Sequence, residues 1–68
     1  YRVQVGAFRN RRYAERLLNE LLEQDYPAFI DDSGPYLRVQ VGGFNNLNEA
    51  AEMERRLKRA GYPTVIVR

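Results

Sequence analysis

Two short segments of the chain alternate hydrophobic and polar residues, and this pattern predicts two β-strands. Residues 2–6 and 38–42 both place valine at every second position. Alternation of this kind is typical of a strand with one buried face and one face in water. Two apolar runs, 28–31 and 64–67, come later in each half of the chain and predict two further strands.

Apolar residues that recur at intervals of three and four predict two amphipathic helices between the strands. The expected apolar faces are Ala14, Leu17, Leu18, Leu21 and Leu22 in the first helix, and Leu47, Ala50, Met53, Leu57 and Ala60 in the second. Asn10 and Asn46 stand where N-caps belong, because an asparagine side chain accepts hydrogen bonds from the free N–H groups of the first turn. Glu49 is spaced to complete a capping box with Asn46. Each helix should end at a residue in the left-handed conformation. Gly61 has this position after the second helix, and Asp25, which adopts the conformation less readily, has it after the first.

The two halves of the chain are copies of one another. An offset of 36 positions aligns the run Arg-Val-Gln-Val-Gly at residues 2–6 with the identical run at residues 38–42. Twelve of the thirty aligned pairs from residue 2 to residue 31 are identical. Because self-similarity at a fixed period marks an internal repeat, both halves should fold in the same way.

The element order β-α-β-β-α-β predicts an α+β fold of the ferredoxin-like type. Two split βαβ units folded together give a four-stranded antiparallel sheet with both helices on one face. We predict a single domain over residues 1–68, made of pseudo-repeats at about 1–32 and 36–68, and we expect it to be excised from a longer protein. The first and third strands should lie at the centre, related by a pseudo-twofold axis. In the outer strands, the pattern leaves open which face Phe29 and Ile66 take.

The sheet face that the helices leave uncovered is the predicted place for function. If the alternating valines point at the helices, the residues between them face solvent. These residues are Arg2, Gln4, Gly6, Tyr36, Arg38, Gln40 and Gly42. Gln4 and Gln40 are equivalent in the repeat and should lie near the middle, where each amide can donate and accept hydrogen bonds. Each residue alone is compatible with an ordinary wet surface, but the set favours a binding surface, and the glycines would let a ligand approach the backbone.

Four aromatic residues next to the strands are expected to be structural. Phe8 and Phe44 follow the central strands and should fill the core where the helices begin. Tyr26 and Tyr62 precede prolines at the start of the outer strands and should pack against the core as well.

The composition limits the chemistry that the chain can perform. A chain of 68 residues, 44% of them hydrophobic, can bury one thin core, so a binding site should be a surface and not a cavity. The chain has no histidine or cysteine, and Ser33 lies in a predicted turn beside Asp31 and Asp32, which are typical turn formers. The net charge of +2 is too small to indicate nucleic acid, and no apolar run reaches the roughly 20 residues of a membrane span. We therefore predict no enzymatic activity, no metal site and no cofactor.

Two motifs give the sequence a family resemblance. The run Tyr-x-Val-Gln-Val-Gly-Ala-Phe at residues 1–8 and the run Tyr-Leu-Arg-Val-Gln-Val-Gly-Gly-Phe at residues 36–44 resemble the sporulation-related repeat, or SPOR, domain. The resemblance covers essentially the whole chain. It implies the same βαββαβ fold and binding of bacterial peptidoglycan, with a preference for glycan strands stripped of their stem peptides.

The resemblance also implies a setting for the domain. Members of this family are usually appended to cell-wall amidases, lytic transglycosylases, or membrane-anchored division and sporulation proteins. We therefore expect an extracytoplasmic location, in the periplasm or at the cell wall or septum, reached through a signal or anchor elsewhere in the parent chain. We expect a monomer that binds no nucleic acid and does not itself insert into a membrane.

The resemblance assigns ligand contacts on the open face to particular residues. The family's first-strand glutamine matches Gln4, and its third-strand aromatic and arginine match Tyr36 and Arg38. The chain departs from the family at Ala7, where many members have serine, and at Gly43, where many have proline.

The residue chemistry suits a glycan independently of the resemblance. Amidase cleavage leaves the lactyl group of muramic acid as a free carboxylate, which the forked donors of Arg2 or Arg38 could bind. Gln4 and Gln40 would contact N-acetyl and hydroxyl groups, and the ring of Tyr36 would stack on a sugar.

Two other functions fit the predicted fold. RNA-recognition domains share this topology, but they carry aromatic residues within both central strands, where this chain has Gln4 and Gln40. The run Lys/Arg-Gly-Phe/Tyr-Gly/Ala-Phe that is typical of such domains is also missing. A ferredoxin-like dimerisation module, pairing through an exposed edge strand, is the other alternative.

Overall fold

A computed structural model describes the whole chain, residues 1–68. The elements are β1 (Arg2–Phe8), α1 (Arg11–Glu23), β2 (Ala28–Asp31), β3 (Leu37–Gly42), α2 (Leu47–Arg59) and β4 (Val65–Val67). The order of the elements is the predicted one, and the strand boundaries differ from the sequence pattern by one or two residues, at the end of β1 and at the starts of β3 and β4.

The four strands form one antiparallel sheet in the order β2-β3-β1-β4. The two strands that open the repeats, β1 and β3, are therefore central, as the duplication predicts. This arrangement confirms the α+β, ferredoxin-like fold.

The core lies between the two helices and one face of the sheet. It consists of Val3, Val5, Val39 and Val41 from the sheet and Ala14, Leu21, Ala50 and Leu57 from the helices. Four aromatic side chains pack against this core as expected: Phe8, Tyr26, Phe44 and Tyr62. The apolar helix faces are narrower than predicted, because Leu22, Leu47 and Ala60 are exposed.

The predicted N-caps form. The Asn10 side chain accepts a hydrogen bond from the backbone N–H of Arg12 at 2.9 Å, and the Asn46 side chain accepts one from Glu49 at 2.9 Å. The reciprocal half of the capping box is displaced by one residue, since the Glu49 carboxylate accepts from the backbone N–H of Asn45 and not from Asn46. The two helices thus begin where the sequence places them.

Both helices end in the same backbone conformation. Asp25 and Gly61 have φ values of 66° and 98°, and the residue after each returns a hydrogen bond to the helix, from Tyr26 to Leu21 and from Tyr62 to Leu57. These are the 6→1 bonds of a Schellman motif. Asp25 therefore adopts a left-handed conformation that favours glycine.

The pairing of β1 with β3 contains a β-bulge, which the sequence pattern does not reveal. Gln4 pairs with Gln40, but the next pair joins Gly6 to Val39, so Val5 and Gly6 both stand opposite Val39. One extra residue in a strand reverses the alternation beyond it. From Gly6 onwards, the residues of β1 therefore face the opposite side from the one that strict alternation predicts.

The bulge turns Gly6 to the other side of the sheet from the one that strict alternation predicts. A methyl group at Gly6 would point towards the helices, 2.9 Å from the ring of Phe8 and 3.1 Å from Leu17. Gly42, its equivalent in the second repeat, has a φ of 127°, and a methyl group there would lie 2.7 Å from the ring of Phe44. Both glycines make room for the phenylalanine two residues later.

Candidate binding face

The sheet face turned away from the helices, here called the open face, is built around one row of cross-strand neighbours. Val65 pairs with Gln4, Gln4 with Gln40, and Gln40 with Phe29. Because directly paired residues share a face, Phe29 lies on the open face. Ile66 packs against the core and so lies on the helix side. The row follows the repeat: Gln4 matches Gln40, and Val65 matches Phe29.

The two glutamines of this row meet but are not equally exposed. The Nε2 group of Gln40 donates to Oε1 of Gln4 at 3.4 Å. Gln40 is only 1% exposed, whereas Gln4 is half-buried. The expectation that Gln40 is exposed to solvent is therefore wrong. The Oε1 atom of Gln40 is buried without a hydrogen-bond partner.

Arg2 explains why Gln40 is covered. The guanidinium of Arg2 lies 6.0 Å from the ring centroid of Phe29, and its Nη1 atom is 4.0 Å from Oδ2 of Asp31. Arg2 starts on β1 and both partners belong to β2, so its side chain crosses β3 above Gln40. Arg2 is consequently engaged within the domain.

Asp31 is held as a carboxylate at the end of β2. Hydrogen bonds from the hydroxyl and the backbone N–H of Ser33 keep the pKa of Asp31 below its usual value of 3.8, and the charges of Arg2 and Arg38 lower it further. The Ser33 N–H bond to Oδ1 is 3.0 Å long. Asp31 therefore acts both as a turn former, as expected, and as the counter-charge of Arg2.

Tyr36 and Arg38 stand at the far end of the open face from Arg2. Arg38 pairs with Ala7 and is exposed, and Tyr36 is 38% exposed just before β3 begins. The Arg38 guanidinium extends over the turn, since a methyl group at Gly34 would lie 3.9 Å from its Nη2 atom. An aromatic ring and a free cation are thus available side by side.

Arg9 joins this end of the face, and the sequence pattern missed it. Its Nη2 atom donates to the Tyr36 hydroxyl at 3.3 Å, and its guanidinium lies 5.3 Å from the Tyr36 ring centroid. The register of β1 against β3 could have found it. Once the bulge is included, Phe8 pairs with Leu37. One further step along the two strands sets Arg9 opposite Tyr36.

The surface of the domain has two shallow depressions and no enclosed pocket. A depression of about 260 Å³ lies beside Gln4, where β1 continues past the first residue of β4; Gly6, Pro63, Thr64 and Val65 line it as well. Val65 is 59% exposed there. A second depression, of about 220 Å³, lies on the helix side around Phe44 and Met53.

Neither helix is long and apolar enough to cross a membrane.

Comparison with known proteins identifies the fold and the family. The sequence profile of the SPOR domain matches residues 1–68. The chain belongs to the SPOR domain family. Among curated protein sequences, none matches the chain significantly.

A solved structure has the same fold as this SPOR domain. The solution structure of the peptidoglycan binding domain of the B. subtilis cell wall lytic enzyme CwlC superimposes with a TM-score of 0.86 at 24% sequence identity. The match covers 97% of this chain and 84% of that one. At this identity the likeness establishes the shared fold.

The six predicted site residues of the SPOR domain separate into three groups. Gln4, Tyr36 and Arg38 present free polar or aromatic groups on the open face. Arg2 and Gln40 lie on the same face but are committed to contacts inside the domain. Gly6 is turned to the helices.

Proposed function

We propose that this SPOR domain binds peptidoglycan through its open face and catalyses no reaction. Membership of the family supports the proposal, and so does the likeness to a structure described as a peptidoglycan binding domain. The observation that carries it is the arrangement of Gln4, Tyr36 and Arg38 on one uncovered sheet face. A flat face with an amide, an aromatic ring and a guanidinium suits an extended glycan strand.

Each of these side chains has a defined task in the proposed complex. The ring of Tyr36 stacks on the apolar face of a sugar, since an aromatic ring supplies a large rigid contact and its hydroxyl stays solvated. The amide of Gln4 hydrogen-bonds N-acetyl or hydroxyl groups. Val65, exposed beside Gln4, gives an apolar surface for a neighbouring methyl group.

Arg38 is the proposed partner of a muramic acid carboxylate, in preference to Arg2. Arg2 already lies within 4.0 Å of Asp31, whereas Arg38 is exposed and forms no ion pair. A guanidinium binds a carboxylate through two parallel hydrogen bonds, which gives strength and orientation together.

The free carboxylate leads to a preference for denuded glycan strands. A stem peptide is joined to the lactyl group of muramic acid by an amide bond, which removes the negative charge. Cleavage by an amidase restores it. The proposed ligand is therefore a strand of N-acetylglucosamine and N-acetylmuramic acid that has lost its stem peptides.

The proposed ligand also sets the place and purpose of the domain. Peptidoglycan lies outside the cytoplasmic membrane, so the domain would act in the periplasm or at the cell wall or septum. It would direct a parent cell-wall enzyme or division or sporulation protein to its site, and it would bind as a monomer.

A pull-down with amidase-treated glycan strands tests the proposal. We expect Gln4→Ala and Tyr36→Ala each to lose most of the binding, and Arg55→Ala, an exposed change on α2, to retain it. Full binding by both site variants would rule out the open face as the binding surface. Equal binding of intact and amidase-treated cell-wall material would remove the preference for denuded strands.

A further inference from the structure

Arg9 extends the open face beyond the six site residues that the sequence predicts. It follows β1 directly, and its guanidinium lies 5.3 Å from the Tyr36 ring centroid while Nη2 donates to the Tyr36 hydroxyl at 3.3 Å. A guanidinium has five N–H donors, so most of its hydrogen-bonding capacity remains free. Arg9 therefore stands next to the proposed stacking ring with donors to spare.

The charges on the open face are distributed unequally. The domain forms three ion pairs, which are Arg2–Asp31, Arg11–Asp32 and Lys58–Glu54. Neither Arg9 nor Arg38 takes part in any of them. The two carboxylate oxygens of Asp31, the nearest acid to Arg38, are already occupied by Ser33 and Arg2. The end of the face around Tyr36 thus carries two cations that form no ion pair, and Asp31, the cross-strand neighbour of Arg38, is shared with Arg2.

The backbone keeps these two cations on the same side of the sheet. Arg38 pairs with Ala7 across β1 and β3, and Phe8 pairs with Leu37 at the following position. One further step along this register sets Arg9 opposite Tyr36, and alternate residues of a strand share a face. Arg9, Tyr36 and Arg38 accordingly form one cluster, here called the Tyr36 cluster.

We propose that Arg9 is a specificity-determining residue of the open face and that Arg9 and Arg38 together bind a sugar carboxylate. This inference rests on the proposed binding of glycan and names the chemical feature that the Tyr36 cluster selects. Two unpaired guanidinium groups repel each other, and a carboxylate between them removes the repulsion while it gains forked hydrogen bonds. The acid-bearing sugar then stacks on Tyr36, and the strand continues towards Gln4 and Val65.

Two ligands that differ only in their carboxylates test the role of Arg9. One is the denuded glycan strand, and the other is the same strand with its lactyl carboxylates converted to neutral amides by carbodiimide coupling. We expect Arg9→Ala to weaken binding of the acidic strand about tenfold, the loss of one charged hydrogen-bonded contact. Binding of the amidated strand should stay the same. Arg9→Lys keeps the charge but not the fork, so its loss should be smaller.

The control is Arg55→Ala, which changes the net charge by the same amount on the exposed side of α2. It should leave the affinity for both strands unchanged. An equal loss by Arg9→Ala on both strands would overturn the proposal, because Arg9 would then act only by holding Tyr36. An unchanged affinity for the acidic strand would overturn it as well. Failure of the unaltered domain to bind either strand would instead contradict the proposed function.

Discussion

At the scale of single residues, the pair Gln4 and Gln40 shows how one sequence motif takes two roles. Both amides lie in the middle row of the open face, but Gln40 is 1% exposed and its Oε1 atom has no partner. A buried acceptor without a hydrogen bond costs about 1–3 kcal/mol of folding free energy. The Nε2 group of Gln40 donates a hydrogen bond to the side-chain carbonyl of Gln4. This bond orients the Gln4 amide so that its N–H donors point to solvent.

Gln40→Met tests this division of roles. Methionine has a similar shape and no unpaired acceptor, so we expect the free energy of unfolding to rise by about 1 kcal/mol in a urea titration. Binding of denuded glycan should fall, because the Gln4 amide is no longer oriented. The matched control is Gln4→Met, the equivalent change in the first repeat, which should weaken binding without raising stability. A less stable Gln40→Met variant would contradict the burial of an unsatisfied oxygen.

The carboxylate of Asp31 makes a residue-scale prediction about pH. Its pKa in the folded domain is depressed by the Ser33 hydrogen bonds, with help from Arg2 and Arg38. A depressed pKa means that ionised Asp31 stabilises the fold at pH values above the unfolded pKa. This contribution is lost as the pH falls through the lower, folded-state pKa.

Thermal melts of Asp31→Asn at several pH values check the sign. At neutral pH the variant should melt below the unaltered domain, and the difference should shrink as the pH falls below about 4, near the unfolded pKa of an aspartate. Asp32→Asn, which removes one charge from the next residue, is the matched control. A gap that stays constant down to pH 2 would show that the ionised form of Asp31 does not stabilise the fold.

At the scale of elements, the bulge in β1 determines which side chains reach the open face. Val5 and Gly6 share one partner, Val39, so Gly6 faces the helices and Ala7 faces outwards beside Arg38. The Val-Gln-Val-Gly motif therefore has two parts with separate tasks. Its glutamine belongs to the open face, and its glycine belongs to the packing of Phe8.

Gly6→Ala tests the structural role of that glycine. The added methyl group would lie 2.9 Å from the Phe8 ring, so we expect a loss of about 1–3 kcal/mol of stability from overpacking, measured by chemical unfolding. Gly34→Ala is the control, since a methyl group there meets only the mobile end of Arg38 at 3.9 Å. If Gly6→Ala were as stable as the unaltered domain, Gly6 would not face the core.

At the scale of the whole molecule, the pseudo-twofold symmetry of the sequence is broken on the binding side. On β2, Phe29 and Asp31 contact the side chain of Arg2, which therefore lies across β3 and covers Gln40. On β4, Val65 stands in the place of Phe29 and leaves Gln4 accessible. A ligand is accordingly expected along Gln4, Arg38 and Tyr36, and not symmetrically about the axis.

The sequence pattern was sufficient for the fold but not for the details of the face. Valine alternation, two amphipathic helices and the repeat specify the order of the strands and the core. Period-two alternation cannot reveal an inserted residue, so Gly6 was assigned to the wrong side. The repeat implies that Gln4 and Gln40 are equivalent, yet their exposure depends on Arg2 reaching across β3 to Asp31. Such a contact depends on side-chain lengths in the folded sheet, and the repeat does not encode it.

The central claim is that the open face around Gln4 and Tyr36 binds glycan. The most direct test is a titration of the isotope-labelled domain with a denuded glycan fragment, followed by two-dimensional NMR. We predict chemical-shift changes concentrated at Gln4, Tyr36, Arg38 and Val65, with α1 and α2 unaffected. Changes confined to the helices, or no changes at saturating glycan, would contradict the claim.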